Sequence, residues 1–234
     1  MYKIFKRTIS FTLAETLIVI GIIGVIAALT LPNLNQSTGN KENVAKVKKI
    51  YQNLNDALGR AEAVYGPVGT WCNNFAGSCE NRHIERLTEF MQTSKVCNSV
   101  SVCSVTLDAG SGGWSYSKSA ILADGTLFAI SYTSTHVNML LVDIDGTKKG
   151  KNQPGRDVFK FYYENNKGVY VTNAKENHWG SNYSYVALSN NNYLAGDAAW
   201  WVINFDNMDY LKTSDGTSCK NGTKLTFDGN HSCN

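Results

Sequence analysis

An apolar stretch close to the start of the chain restricts the possible folds more than any other feature of the sequence. It covers residues 11–34, FTLAETLIVIGIIGVIAALTLPNL, and follows a short basic leader, residues 1–10. A helix from Phe11 to Leu31 would be about 30 Å long, which matches the apolar core of a lipid bilayer. The stretch carries one charged residue, Glu15. Because a carboxylate inside a membrane helix costs about 3 kcal/mol or more, we expect Glu15 to serve a function.

Charges on either side of the stretch predict its orientation. The next charged residue after Glu15 is Lys41, and three basic residues lie in the leader: Lys3, Lys6 and Arg7. The positive-inside rule therefore predicts a cytoplasmic leader and export of the rest of the chain. Two alternatives are a secretory signal peptide cleaved after Ala27 and a plain transmembrane anchor. Neither alternative accounts for Glu15.

The same residues carry a resemblance to a known family. The stretch resembles the N-terminal signature of type IV pilins and of the pseudopilins of type II secretion. In that pattern, cleavage occurs before a Phe, Glu is the fifth mature residue and Pro the twenty-second. With Phe11 as the first mature residue, Glu15 and Pro32 occupy these two positions. Ser10 departs from the pattern, since the family usually has Gly before the cleavage point, but both residues are small.

The resemblance implies a life cycle for the chain. Prepilin peptidase would cleave between Ser10 and Phe11 and methylate the new Phe11 amine. The protein would first span the bacterial inner membrane once, in contact with lipid, with its N-terminus in the cytoplasm. An inner-membrane assembly platform would then move it into a periplasmic or cell-surface filament of other pilin or pseudopilin subunits. There Glu15 would pair with the Phe11 amine of a neighbouring subunit, and Pro32 would kink or locally melt the helix.

Beyond the stretch, apolar residues recur every three or four positions, as on one face of a helix. The series stops before Gly66 and Pro67, which end helices. We therefore expect the helix from Phe11 to continue to about residue 64, with its second half packed on a sheet. The members of this face are Val44, Val47, Tyr51, Leu54, Leu58 and Ala61.

Strand patterns dominate from about residue 113 to residue 172. Asp124-Gly125 predicts a hairpin between strands at 120–122 and 126–132, and residues 137–144 are nearly all apolar, as in a central strand. A second hairpin is predicted from strands at 157–163 and 168–172. Together these segments predict an antiparallel meander of four or five strands laid on the long helix. The expected fold is α+β and pilin-like, with a leader (1–10), an assembly helix (11–34) and an exported domain (35–234).

Two shorter helices are expected, one near residues 82–92 and one at 198–204, with Asp197 as the cap of the second. The aromatic residues in and after the second helix are expected to be core or interface filler. They are Trp200, Trp201, Phe205 and Tyr210, with Leu211 beside them.

Six cysteines, all beyond the apolar stretch, predict up to three disulfides in an oxidising compartment. We favour local pairs, because each closes a short loop rich in turn-forming residues, although about 15 pairings are possible. A zinc site is the alternative, but the CxxC spacing is absent. The favoured pairs are Cys72–Cys79, Cys97–Cys103 and Cys219–Cys233. The last would bound a C-terminal loop that resembles the disulfide-bounded loop near the end of many pilins.

One loop is a candidate calcium site. Its oxygen ligands would be Asp143, Asp145, Asn152 and Asp157, all between two predicted strands. Some secretion pseudopilins hold calcium in a loop of their sheet, so the resemblance supports the site. The loop is not an EF-hand, because Gly146 directly follows the second Asp and no Glu closes it. The alternative is a long turn whose Asp and Asn side chains cap backbone amides. No other cofactor is expected.

Other function classes find little support in the sequence. The net charge of +3 is too small to predict nucleic-acid binding. None of the four histidines lies in HExxH spacing, and neither a GxSxG elbow nor a P-loop is present, so we do not expect an enzyme. The histidines are His83, His136, His178 and His231.

Three functions remain open. The first is a structural subunit of a type IV pilus or a type II secretion pseudopilus. The second is a minor, tip-located pilin that acts as an adhesion, DNA-binding or substrate-binding module. The third is an exported or anchored protein unrelated to filaments, which Glu15 and Pro32 together disfavour. The Asp143–Asp157 loop favours a pseudopilin.

Overall fold

The computed structural model describes residues 12–72, 79–97, 103, 118–132, 138–146, 152–173, 194–213, 215 and 217–233, without the side chains of 29–37, 131–132 and 194–196. The chain divides into two compact units, residues 1–40 and 41–234. Helix α1 (Leu13–Tyr65) supplies residues to both units.

The bounds of α1 agree with the predicted long helix. The backbone is helical through Pro32, and the kink or local melting expected there in a filament stays a prediction. The helix ends at Tyr65, and the next residue, Gly66, has a φ of +79°, which residues with a side chain rarely adopt. The amide of Gly66 donates the last helical hydrogen bond, 2.9 Å to the Glu62 carbonyl.

Among the described residues, no helix combines the length and the apolar character needed to cross a bilayer. The structure therefore gives no support to the expected transmembrane half of the long helix, which stays a prediction.

A six-stranded antiparallel meander forms the sheet, with each strand beside its neighbour in sequence. The α+β class and the meander are thereby confirmed, and the sheet has one strand more than the largest number expected. The extra strand is β1, an edge strand with three consecutive exposed residues, whose sequence TSKVC lacks an apolar alternation. The strands are β1 (Thr93–Cys97), β2 (Ser119–Leu122), β3 (Leu127–Tyr132), β4 (Asn138–Asp143), β5 (Val158–Glu164) and β6 (Gly168–Tyr170).

The core lies between one face of the sheet and the second half of α1. Five of the six residues of the predicted helix face are buried, and Tyr51 is half-buried, with its ring stacked 6.0 Å from that of Phe161. Ile50 and Ala57 are buried as well, so the apolar face is wider than predicted. The other face of the sheet carries a second small cluster, in which Leu127 and Leu141 pack with the Cys97–Cys103 disulfide.

The shorter helices differ from their predicted positions. Helix α2 (Cys79–Thr88) begins at a disulfide cysteine and ends before the predicted 92, where the Phe90 and Met91 amides donate to carbonyls three residues back instead of four. Helix α3 (Leu194–Phe205) begins four residues earlier than expected. Asp197 is therefore a buried residue of its first turn, and the prediction that it caps the helix is wrong.

Three disulfides are present, and they are the three local pairs favoured by the sequence: Cys72–Cys79, Cys97–Cys103 and Cys219–Cys233. Trp201 and Tyr210 are buried in the core, as expected of filler, whereas Trp200 is half-buried and meets Phe227 edge to face.

Candidate functional site

The N-terminus of α1 is closed by a hydrogen-bonded ring between Thr12 and Glu15. The Thr12 amide donates to Glu15 Oε2 at 2.8 Å, and the Thr12 hydroxyl donates to the same oxygen at 2.9 Å. In return, the Glu15 amide donates to Thr12 Oγ1 at 3.3 Å. This is a capping box, in which Thr and Glu three residues apart satisfy each other's backbone donors.

The capping box gives Glu15 a role within its own chain, which our sequence analysis missed. The signal was available, since Thr12-Leu13-Ala14-Glu15 fits the pattern S/T-x-x-E. Both bonds from Thr12 reach Oε2, and Oε1 makes no hydrogen bond with any described residue. One carboxylate oxygen is thus left for a second partner.

The helix around Glu15 exposes apolar side chains on every side. Successive residues Leu17, Ile18 and Val19 are 61%, 63% and 54% exposed, although they point in different directions around the helix. Nothing in the described part of the chain covers them. Ser10 and Phe11, the predicted processing residues, lie outside the described residues, as does the side chain of Pro32.

A second candidate site lies where β4 ends and β5 begins. Asp143, the last residue of β4, is fully buried, and its Oδ1 accepts the Asp145 amide at 3.1 Å and the Gly146 amide at 2.9 Å. Asp157, directly before β5, is also buried and accepts the Gln153 amide. These bonds are the backbone caps that we considered as the alternative to calcium.

Two carboxylate oxygens of this cluster have no such cap. Asp143 Oδ2 and Asp145 Oδ1 are buried without a hydrogen-bond partner among the described residues. Burial, with the Asp145 carboxyl beside it, raises the pKa of Asp143 to about 8. Burial likewise raises the pKa of Asp157 to about 6, and the charge of Asp145 adds to the shift. Neighbouring buried carboxylates need a proton or a cation to balance their charge.

The loop that carries the cluster is held from three sides. The Gly155 carbonyl accepts a hydrogen bond of 2.6 Å from the Tyr210 hydroxyl, and the Arg156 carbonyl accepts one of 3.2 Å from the Asn43 side chain on α1. A Cβ on Gly146 would lie 2.1 Å from the Gly125 carbonyl oxygen, so this close approach requires glycine.

Three of the four predicted calcium ligands lie close enough to interact electrostatically. The charge of Asp145 contributes to the raised pKa of both Asp143 and Asp157, and Asn152 is half-exposed in the same loop. Within the described ranges, no group of three or more histidine, cysteine, aspartate or glutamate side chains is arranged to hold a metal ion. Calcium therefore stays a prediction.

Two of the four histidines lie in described parts of the chain, and both have packing roles. His83 is buried, with Nδ1 2.7 Å from the Tyr163 hydroxyl and its ring against Trp71. His231 stacks on Phe205 at 3.6 Å between ring centroids. His136 and His178 lie outside the described residues. The expectation that the chain is not an enzyme stays a prediction.

Comparison with known proteins identified no relative: no family model matches the sequence, and neither a curated protein nor a solved structure matches it.

Proposed function

We propose that the chain is a structural subunit of a type IV pilus or a type II secretion pseudopilus. In this proposal prepilin peptidase cleaves before Phe11 and methylates its amine, and the subunit leaves the inner membrane for a periplasmic or surface filament. Residues 11–34 serve first as the membrane helix and then as the assembly helix. The observation that carries the proposal is the apolar helix with one carboxylate near its start, whose Oε1 is left uncapped.

The chemistry of Glu15 supports an intersubunit pair. Cleavage would create an α-amino group on Phe11, with an ordinary pKa of about 8, which is cationic at neutral pH. A filament buries apolar helices against one another, and an unpaired charge there costs several kcal/mol. Pairing Glu15 Oε1 with the Phe11 amine of a neighbour would cancel both charges, while Oε2 keeps its bonds to Thr12. Glu15 would thereby set the register of the subunits.

The capping box supplies a matched control for this idea. Gln can replace Glu in a capping box, so Glu15→Gln keeps the helix cap but removes the charge. Thr12→Ala does the reverse, because it removes the hydroxyl and retains the carboxylate. We expect Glu15→Gln to insert into the membrane and fail to enter filaments, and Thr12→Ala to assemble. The measurement is the fraction of subunit in sheared filaments compared with the membrane fraction of the producing bacterium.

The opposite pattern would contradict the proposal. If Glu15→Gln assembles as well as the wild type and Thr12→Ala does not, then Glu15 serves as a helix cap and its charge has no role in assembly.

Calcium binding at the Asp143 cluster is a second part of the proposal. The two uncapped oxygens, Asp143 Oδ2 and Asp145 Oδ1, are the kind of hard ligand that calcium takes. A cation there would relieve the repulsion between the buried carboxylates. The chain would supply the carboxylates, and the ion would supply positive charge and hold the β4–β5 loop.

A minor, tip-located subunit is the alternative assembly role. Its N-terminal helix would be the same, so the number of copies per purified filament separates the two: a near-stoichiometric band indicates a major subunit, and a trace band a minor one.

A further inference from the structure

A groove of about 790 Å³ opens on the surface of the unit 41–234. One wall is a polar face of α1, where four polar residues recur at helical spacing. They are Lys49, Asn53, Asp56 and Arg60. The rest of the lining comes from the connection from α2 to β1 and from the turn between β2 and β3. From residue 49 to residue 60 the helical wall is about 16 Å long.

Two ion pairs within the chain involve four of the five charged side chains along the groove. Lys49 Nζ lies 2.8 Å from Asp124 Oδ2, and the Arg60 guanidinium lies 3.1 Å from Asp56 Oδ2. The carboxylate of Glu89 accepts the Tyr65 hydroxyl. The lining thus carries three carboxylates against two cations, so it repels an anionic ligand, whereas a neutral ligand leaves both ion pairs intact.

Two amide side chains in the groove have hydrogen-bonding capacity to spare. Asn53 and Gln92 are exposed, and neither side chain forms a hydrogen bond with the described residues. Each amide offers two donors and one acceptor oxygen. Phe90 and Met91 also line the groove and are half-buried against the core. The groove thus combines polar groups of both kinds with a small apolar surface.

We propose that this groove binds a short neutral oligosaccharide. A sugar hydroxyl donates and accepts at once, so it can bond to Asn53 and Gln92 and to either member of an ion pair without separating the pair. The apolar face of a sugar ring packs on Phe90 and Met91. The volume lies within the usual range for small-ligand sites. This inference does not rest on the assembly role of the N-terminal helix.

An extended peptide fits the groove less well. Peptides gain affinity by pairing with a free strand edge, and the nearest such edge is β1. The pairing of β1 with β2 is irregular between Thr93 and Lys95, and Lys95 is exposed on the strand. A bulge and a lysine are two devices that prevent strand addition.

The test uses the full chain in detergent on a printed array of neutral and sulfated oligosaccharides, followed by titration calorimetry with the strongest neutral hit. We expect neutral oligosaccharides to bind. Asn53→Ala and Phe90→Ala should each weaken binding about tenfold, the loss expected for one hydrogen bond or ring contact. Gln52→Ala is the matched control, because Gln52 is exposed on α1 and does not line the groove.

Several results would overturn the proposal. One is that neutral oligosaccharides fail to bind at millimolar concentration, or that only sulfated sugars bind. Another is that Gln52→Ala and Asn53→Ala lose equal affinity, or that the chain captures peptides from a random library in place of sugars. Asn53 is exposed, so Asn53→Ala should keep the thermal midpoint even if Phe90→Ala lowers it. Filament entry of Glu15 variants is a separate readout, so the two proposals can fail independently.

Discussion

The two units of the chain use apolar residues in opposite ways. In the unit 41–234, the residues that α1 turns toward the sheet, such as Val47 and Leu54, are fully buried. In the unit 1–40, the described apolar residues of the same helix are exposed on all sides, with Ile20 at 66%. A helix that exposes apolar residues all round needs lipid or other helices to cover them. The unit 1–40 is therefore expected to be stabilised by its surroundings, and the unit 41–234 by its own core.

A core substitution should separate the units most strongly. Leu54→Ala leaves a cavity in the core and should lower the free energy of unfolding by about 2–5 kcal/mol. Leu17→Ala removes an exposed side chain of the unit 1–40 and should change the free energy of unfolding by less than about 0.5 kcal/mol. Urea unfolding of the full chain in detergent, followed by tryptophan fluorescence, measures both. Equal effects would show that residues near Leu17 are packed within the chain, against the proposed division.

Calcium should stabilise the second unit alone. If the Asp143 cluster binds the ion, a concentration of about 100 times the dissociation constant raises the free energy of unfolding by about 2.7 kcal/mol. The thermal midpoint should rise on calcium titration, and Asp143→Asn should abolish the rise. Asp56→Asn, an exposed carboxylate on α1, is the control and should keep it. If the thermal midpoint of the wild type does not rise, the cluster does not bind calcium, and a proton balances its charge instead.

Acid should weaken the second unit through His83. Burial, together with the charges of Arg86 and Arg82, lowers the pKa of His83 to about 4. In the unfolded chain the pKa is about 6.5, so the fold favours the neutral ring. Its contribution to stability is complete above pH 6.5 and is lost as the pH falls toward 4.

The size of this effect follows from the two pKa values. Between about pH 7.5 and about pH 4.5 the wild type should lose about 2 kcal/mol more than His83→Gln. Denaturant unfolding at both pH values measures the difference. Subtracting the variant removes the opposite trend of the buried Asp143 and Asp157, which are stabilised by protonation. If the free energy of unfolding changes equally with pH in the wild type and in His83→Gln, then the fold does not hold His83 neutral.

The smallest effect is expected at the cap of α1. Thr12→Ala removes the hydroxyl bonds to Glu15 and should cost about 1 kcal/mol of local helix stability. Faster amide hydrogen exchange at residues 13–16 in detergent, with unchanged exchange in β4 and β5, is the expected pattern. Slower exchange in the first turn, or a change that reaches the sheet, would contradict the separation of the two units.

Local patterns in the sequence predicted much of the fold. The periodic apolar residues gave the length of α1, and Asp124-Gly125 placed the β2–β3 hairpin within one residue at each strand. Strand β1 was missed because its exposed edge has no apolar alternation. The predicted start of α3 was wrong. An Asp is common at a helix cap and also in the first turn of a helix, and Asp197 lies buried in the first turn.

The sites depended more on tertiary contacts. The disulfides were predictable because each pair is close in sequence. The Thr12 cap was predictable from the short S/T-x-x-E motif at residues 12–15, which we overlooked. No local pattern could show that Asp143 Oδ2 is buried without a partner, or that α1, a loop and a turn together form a groove, because these features depend on residues far apart in the chain.

Mass spectrometry of the N-terminus of the mature protein, isolated from the membrane of its producing cell, tests the central proposal most directly. The assembly role requires a product that begins at Phe11 and carries a methyl group on its amine, because Glu15 is paired only after that amine exists. A product that begins after Ala27, or an intact leader, would contradict it.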